Sequence, residues 1–197
     1  MTTARDTLYE RARPHAREGL HTLSVLVENR PGVLFRIAGM FARRGFNIES
    51  LAVGPTEDER ISRMTIVVKV EAKPLHQIIR QLDKLVNVIH IEEIPHSHAV
   101  ERELLLIKVE AGPGERSQIL EITDIFRSKI VDVGRETLTL EATGTPEKLQ
   151  ALIEILRPYG IRETAKTGLI ALDRGKQTIN DAYLSVIRSE EQEAESA

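Results

Sequence analysis

The sequence predicts an α+β protein made of two ferredoxin-like βαββαβ domains in tandem, each an antiparallel sheet with two helices on one face. Two observations carry this. Segments of strand period and helix period follow one another in the order βαββαβ, and the whole order then repeats after about 75 residues. Between them, Pro95 to Val100 holds Pro, Ser and two His, a linker composition.

In the first copy, Leu23, Val25 and Val27 alternate with Thr22, Ser24 and Glu28, which is the period of a strand. Leu34, Ile37, Ala38 and Phe41 follow Pro31-Gly32 at the spacing of one helix face, and Gly45 supplies the stop. Asn47 to Val53 reads as a second strand, Thr56 to Arg60 as a charged turn, and Met64 to Val70 as a third strand. Pro74 is expected to open a second helix with Leu75, Ile78, Ile79, Leu82 and Leu85 on one face, before a fourth strand over Val88 to Ile94. The second copy has a strand at Leu104 to Val109 and a helix marked by Ile119, Ile122 and Phe126. Strands at Ile130 to Val133 and Leu138 to Ala142 come next. Thr145-Pro146 caps and starts a helix bearing Leu149, Leu152, Ile153 and Leu156, and Ile161 to Leu172 supplies the last strand. The division expected is an arm at 1–19, a first domain at 20–95, a linker at 96–102 and a second domain at 103–174. In the remainder, 175–197, Ile179, Ala182, Tyr183, Val186 and Ile187 stripe one face of a helix, and a tail from Ser189 carries four Glu.

Composition narrows the function. Apolar residues are 41% and charged residues 29% of 197, a globular balance. A net charge of -3 gives no general reason to expect nucleic acid as a partner. The lack of cysteine excludes a disulfide scaffold, a thiolate zinc site and a cysteine nucleophile, and suits the cytoplasm. No uncharged apolar run approaches the roughly 18 residues of a membrane span. The first twenty residues hold four Arg but also Asp6, Glu10 and Glu18, which does not fit a transit or secretory signal.

The stretch with chemical content is SVLVENRPGVLFRIAGMFARRGFNIESLAVGP, Ser24 to Pro55. A strand delivers Asn29 to a loop, and a helix opens near Gly32. The first backbone N–H groups there, on Gly32, Val33 and Leu34, are free to bind an α-carboxylate with the help of the helix dipole. Gly32 lets a ligand approach the backbone closely. Asn29 and Asn47 offer amide oxygens to an α-ammonium. The same residues also read as a tight turn at Arg30-Pro31-Gly32 and a helix end at Asn47, and the residues alone leave both readings open.

The segment RRGFNIESLAVGPTEDERISRMTIVV, Arg43 to Val68, resembles the ACT domain of the small regulatory subunit of acetohydroxyacid (acetolactate) synthase. AVERELLLIKV (99–109), IFRSKIVDV (125–133) and TAKTGLIALDRG (164–175) resemble that family's second domain. The resemblance implies a non-catalytic subunit of branched-chain amino-acid biosynthesis that stimulates a large catalytic subunit and confers feedback inhibition by valine. It also implies a homodimer through the ACT domains with effector sites between them. It matches Asn29, Gly32, Val33 and Leu34 to the effector loop, and Asn47 and Ile48 to the facing segment of the partner domain. Gly54 stands where well-known relatives have Ala, which bears on effector sensitivity, and Gln77 matches a Gln associated with regulation. Thiamine diphosphate, FAD and Mg would belong to the large subunit, with no cofactor and no metal in this chain.

Other signals are weaker. Gly112, Gly114 and Ser117 lack the third glycine of a dinucleotide loop and any following Gly-Lys-Ser/Thr, so a turn explains them. His96 and His98 have a metal-like spacing without a Cys. Arg43, Arg44, Arg60 and Arg63 read as solvated charge, or as contacts to the catalytic subunit or to a nucleotide such as some eukaryotic relatives bind. Rival readings are a stand-alone amino-acid sensor, which lacks a DNA-reading element here, and an enzyme, for which no nucleophile elbow is apparent.

Overall fold

The computed structural model describes residues 19–176 together with Thr178 and Ile179. The expected N-terminal arm up to residue 18, the helix stripe beyond Ile179 and the acidic tail lie outside the described residues.

The chain falls into two compact units, one formed by 19–100 together with residues from Leu169 onward, the other by 101–168. In the first, β1 (Leu20–Glu28), α1 (Val33–Arg44), β2 (Ile48–Pro55), β3 (Ile61–Lys69), α2 (Ala72–Leu82) and β4 (Val88–Ile94) follow the expected order. The antiparallel sheet runs β2-β3-β1-β4, which leaves β2 at an edge. Leu23, Val25 and Val27 of β1 meet Met64, Ile66 and Val68 of β3 in one core. Ile37, Met40 and Phe41 of α1, with Leu75, Ile78 and Leu82 of α2, close it from the helix side. The α1 face differs from the expected one. Val33 and Met40 are buried, and Leu34 is 45% exposed. Helix α2 starts two residues before Pro74, which its first turn accommodates because that proline's missing N–H would have no helical partner.

The second unit repeats the plan with β5 (Ala99–Glu110, its first two residues in the first unit), α3 (Arg116–Ile125), β6 (Lys129–Val133), β7 (Thr137–Gly144), α4 (Pro146–Leu156) and β8 (Ile161–Lys166). Its sheet order is β6-β7-β5-β8, the same permutation as the first. Thr145 caps α4 as expected, its Oγ1 accepting from Lys148 N at 3.4 Å, with Pro146 at the first helical position. The Gly112 turn closes with Gly112 N donating to Glu115 Oε2 at 3.3 Å, while Gly112 O accepts from the amides of Glu115 and Arg116.

Two segments depart from the sequence reading. Residues 99–102, assigned to the linker, are already strand, because the pattern of buried Ala99, Glu101 and Glu103 continues that of Leu105 and Ile107. The expected last strand, Ile161 to Leu172, is two strands, broken between Lys166 and Ile170. The second piece, β9 (Ile170–Asp173), belongs with the first unit. There Leu169 N donates to Ser50 Oγ at 2.7 Å, Arg174 N donates to His98 O, and Ala171 packs with Ile94 and Ala99. On the helix-free face of the first sheet, Thr22, Ser24, Leu26, Thr65 and Val67 are buried.

Candidate effector site

The loop from β1 to α1 is built from backbone demands. Gly32 stands before the helix at φ 87°, a left-handed conformation that glycine adopts without a Cβ penalty, and a Cβ there would meet nothing within 4 Å. The site is therefore open above Gly32. Arg36 N reaches back to Gly32 O, and Val33 N to Arg30 O at 3.4 Å. Among the described residues, the amides of Gly32, Leu34 and Phe35 donate to nothing in the fold. The open donors thus differ by one from the sequence reading. Val33 turns its amide to Arg30 and buries its side chain, and Phe35 takes its place. Phe35 is 81% exposed, a large apolar side chain beside the open amides, and the sequence reading did not single it out. Its signal was its position one residue past the apolar Val33-Leu34 pair, off the face that α1 buries.

Asn29 braces the neighbouring turn. Its backbone N–H donates to Arg60 O at 2.7 Å and its Nδ2 donates to Glu59 O at 2.7 Å. The amide nitrogen is committed to a carbonyl, so the orientation of the side chain is fixed and Oδ1 is left to accept. That turn is itself stiff. Arg60 Nη2 donates to Asp58 Oδ2 at 2.6 Å, and Arg60 Nε to Asp58 Oδ1 at 2.9 Å. These bonds hold the Asp58 carboxyl at a pKa of about 2, below its usual 3.8, and push the Arg60 guanidinium upward.

Asn47 and Ile48 lie elsewhere. They follow Gly45, which stops α1 at φ 68°. Asn47 Nδ2 donates to Glu49 Oε1 at 2.7 Å, again leaving Oδ1 to accept, and Ile48 is half-buried against the first core. The 12 residues of α1 separate this segment from Gly32, about 18 Å at a rise of roughly 1.5 Å per residue. The strand register agrees: Ile48 pairs with Val68 at one end of β3, whereas Glu28, beside Asn29, pairs with Ile61 at the other. One chain does not bring the two groups of residues together.

Gly54 sits on the edge strand opposite Arg63, with an ordinary φ and nothing within 4 Å of a Cβ. Gln77 is exposed on α2 and lines a cavity with Arg44 and Phe46, apart from the Gly32 loop. Among the described residues, no three metal-ligating side chains cluster, at His96 and His98 or elsewhere, and no helix is long and apolar enough to cross a membrane.

Residues 23–90 match the family described as an AHAS small subunit-like ACT domain, and residues 102–175 match the small subunit of acetolactate synthase. The acetolactate synthase small subunit of Mycolicibacterium smegmatis is 59% identical over 162 residues, covering 82% of this chain and 95% of that protein. A probable acetolactate synthase small subunit of Archaeoglobus fulgidus is 54% identical over 157 residues, covering 80% and 98%. The crystal structure of the acetolactate synthase small subunit from Thermotoga maritima superimposes with a TM-score of 0.75 at 41% identity, covering 80% of this chain and 99% of that one. With both domains matched in order, on the fold described above, this chain belongs to the acetolactate synthase small subunit family.

Proposed function

We propose that this chain is the non-catalytic regulatory subunit of acetolactate synthase, which stimulates the large catalytic subunit and confers feedback inhibition by a branched-chain amino acid, valine foremost. The effector binds between the ACT domains of two copies. The α-carboxylate takes the open amides at the start of α1 in one copy, and the α-ammonium is held by the amide oxygens of Asn29 and, across the interface, Asn47. The observation that carries this reading is the division of the binding groups: open donors at one end of α1, a second acceptor about 18 Å away at the other. Two copies related by a twofold axis place one end against the other twice over. An exposed surface suited to such pairing is at hand, because β2 is an edge strand and Leu34, Phe35 and Val53 are exposed near its Pro55 end.

Inhibition then is a coupling free energy. Valine binds one arrangement of the dimer better, and that arrangement stimulates the large subunit less; such couplings are typically about 1–3 kcal/mol. Thiamine diphosphate, FAD and Mg belong in this reading to the large subunit, in the cytoplasm. Reconstitution tests it. Acetolactate formation is measured with the large subunit alone, with this chain added, and with valine, leucine or isoleucine as well. Stimulation by the chain and its reversal by valine are expected. No stimulation, or pyruvate condensation by this chain on its own, contradicts the reading. One methylene in an apolar pocket is worth about 1–3 kcal/mol, so valine should separate from its longer homologues leucine and isoleucine.

A further inference from the structure

Lys148 of the second unit sits where three sources of positive potential meet. It lies in the first turn of α4, where free N–H groups and the helix dipole disfavour a cation. Its stem folds back over Gly144: a Cβ on that glycine would stand 3.3 Å from Cβ and Cγ of Lys148 and closer still to Cδ. Nζ then reaches the end of β7 and donates to Thr143 O at 2.8 Å. Two arginines flank that end of the strand. On one side Thr143 lies opposite Leu104 of β5, two residues past Arg102. On the other, Glu141 lies opposite Lys129 of β6, two residues past Arg127. Burial, and after it the charges of Arg102 and Arg127, push the Lys148 ammonium below the usual lysine range.

The nearby carboxylates do not relieve this. Glu103, opposite Gly144, is buried and pairs with Lys166 at 3.1 Å. Glu147 shares the first turn of α4 but is the adjacent residue, and such neighbours do not face each other on a helix. Among the described residues, Lys148, Arg102 and Arg127 make no ion pair. A lysine that merely caps a strand carbonyl accounts for the bond to Thr143. It does not account for a cation set against a helix N-terminus and two guanidinium groups. A negative group on Nζ would turn all three repulsions into attractions.

We propose that Lys148 is a carbamylation site, at which its amine takes up CO2 and Arg102 and Arg127 hold the resulting carbamate. The nitrogen lone pair attacks the carbon of CO2, forming the N–C bond. One C=O π pair moves onto oxygen, and Nζ releases a proton to solvent. The carbamate nitrogen keeps one hydrogen, enough to retain the bond to Thr143 O. Its carboxylate is new, and it is the part that gains charge-assisted hydrogen bonds from the arginines. An ordinary acyl group would leave a neutral amide, which gains nothing comparable, so the surroundings favour CO2 over acyl donors. Lys148 is half-buried and both arginines are exposed, so the amine is within reach of a dissolved gas.

The full chain is equilibrated with isotopically labelled CO2 at mildly alkaline pH, trapped with a trialkyloxonium reagent and read peptide by peptide by mass spectrometry. Occupancy at Lys148 is expected to exceed that at exposed Lys84 and Lys129 by at least about tenfold, the worth of one hydrogen bond to a charged group. In Arg102→Gln/Arg127→Gln it is expected to fall toward theirs. The comparison among lysines of the wild-type chain depends on no variant folding. Lys148 labelled no more than Lys84 and Lys129, or labelled equally with and without the two arginines, overturns the proposal.

Discussion

Gly32 carries the sharpest residue-level prediction. Gly32→Asp sets a carboxylate at the mouth of the open amides, where it competes with and repels the ligand's own. Calorimetry is expected to show valine affinity lowered at least about tenfold, the loss of one charge-assisted contact. The left-handed φ of 87° adds a structural cost, since a side chain there is strained by about 1–2 kcal/mol, less for Asp than for most residues. A fall in thermal midpoint should therefore accompany the loss, and unchanged affinity would remove Gly32 from the site. Asp58 gives a pH prediction. Its folded pKa is lowered, so its contribution is complete above 3.8 and is lost as pH falls toward about 2. Carbon NMR titration of the Asp58 carboxyl should find its midpoint near 2, returning toward 3.8 in Arg60→Gln. A midpoint of 3.8 in the wild type would mean that the turn braced by Asn29 is loose in solution.

At the scale of elements, Gly54 and β9 make opposite cases. Gly54 lies in an edge strand at a φ that any residue adopts, with free space for a methyl group. Gly54→Ala should stabilise the chain by about 0.4–1 kcal/mol by restricting the unfolded state, read as a higher thermal midpoint. If the edge is a dimer interface, valine sensitivity changes with it. Removing β9 should do the reverse. A chain ending at Gly168 loses buried Leu169, Ala171 and Ile179, and burial of the leucine alone is worth about 1.5–3 kcal/mol. A drop in the midpoint of the first unit is expected, and an unchanged midpoint would mean that the strand adds nothing to it. These two elements also show what the sequence discloses. The strands and helices with one buried face announced themselves by period, and Thr145-Pro146 and Gly45 marked ends that the structure keeps. Periodicity was silent on β9, because alternation says that a segment is half-buried and not against which sheet. It likewise placed Leu34 inside, when a helix stripe one position over, through Val33 and Met40, fills the core better. The Gly32 loop was legible because backbone chemistry there follows from residue type. The cavity at Gln77 was not, since its cations come from α1 and α2, over thirty residues apart, and only packing brings them together.

For the whole molecule, the proposed effector site is completed by a second copy. The distance along α1 between Gly32 and Asn47 makes this a claim with a clean consequence, because two defective chains can then repair each other. The measurement is valine calorimetry on Gly32→Asp, on Asn47→Ala, and on an equal mixture of the two after subunit exchange. Each variant alone is expected to lose valine binding. In a mixed dimer one site collects both defects and the other collects none, so the mixture should recover about a quarter of the wild-type sites, at wild-type affinity. A mixture that binds no more valine than its separate components, with subunit exchange verified, would contradict the shared site and place the effector within a single chain.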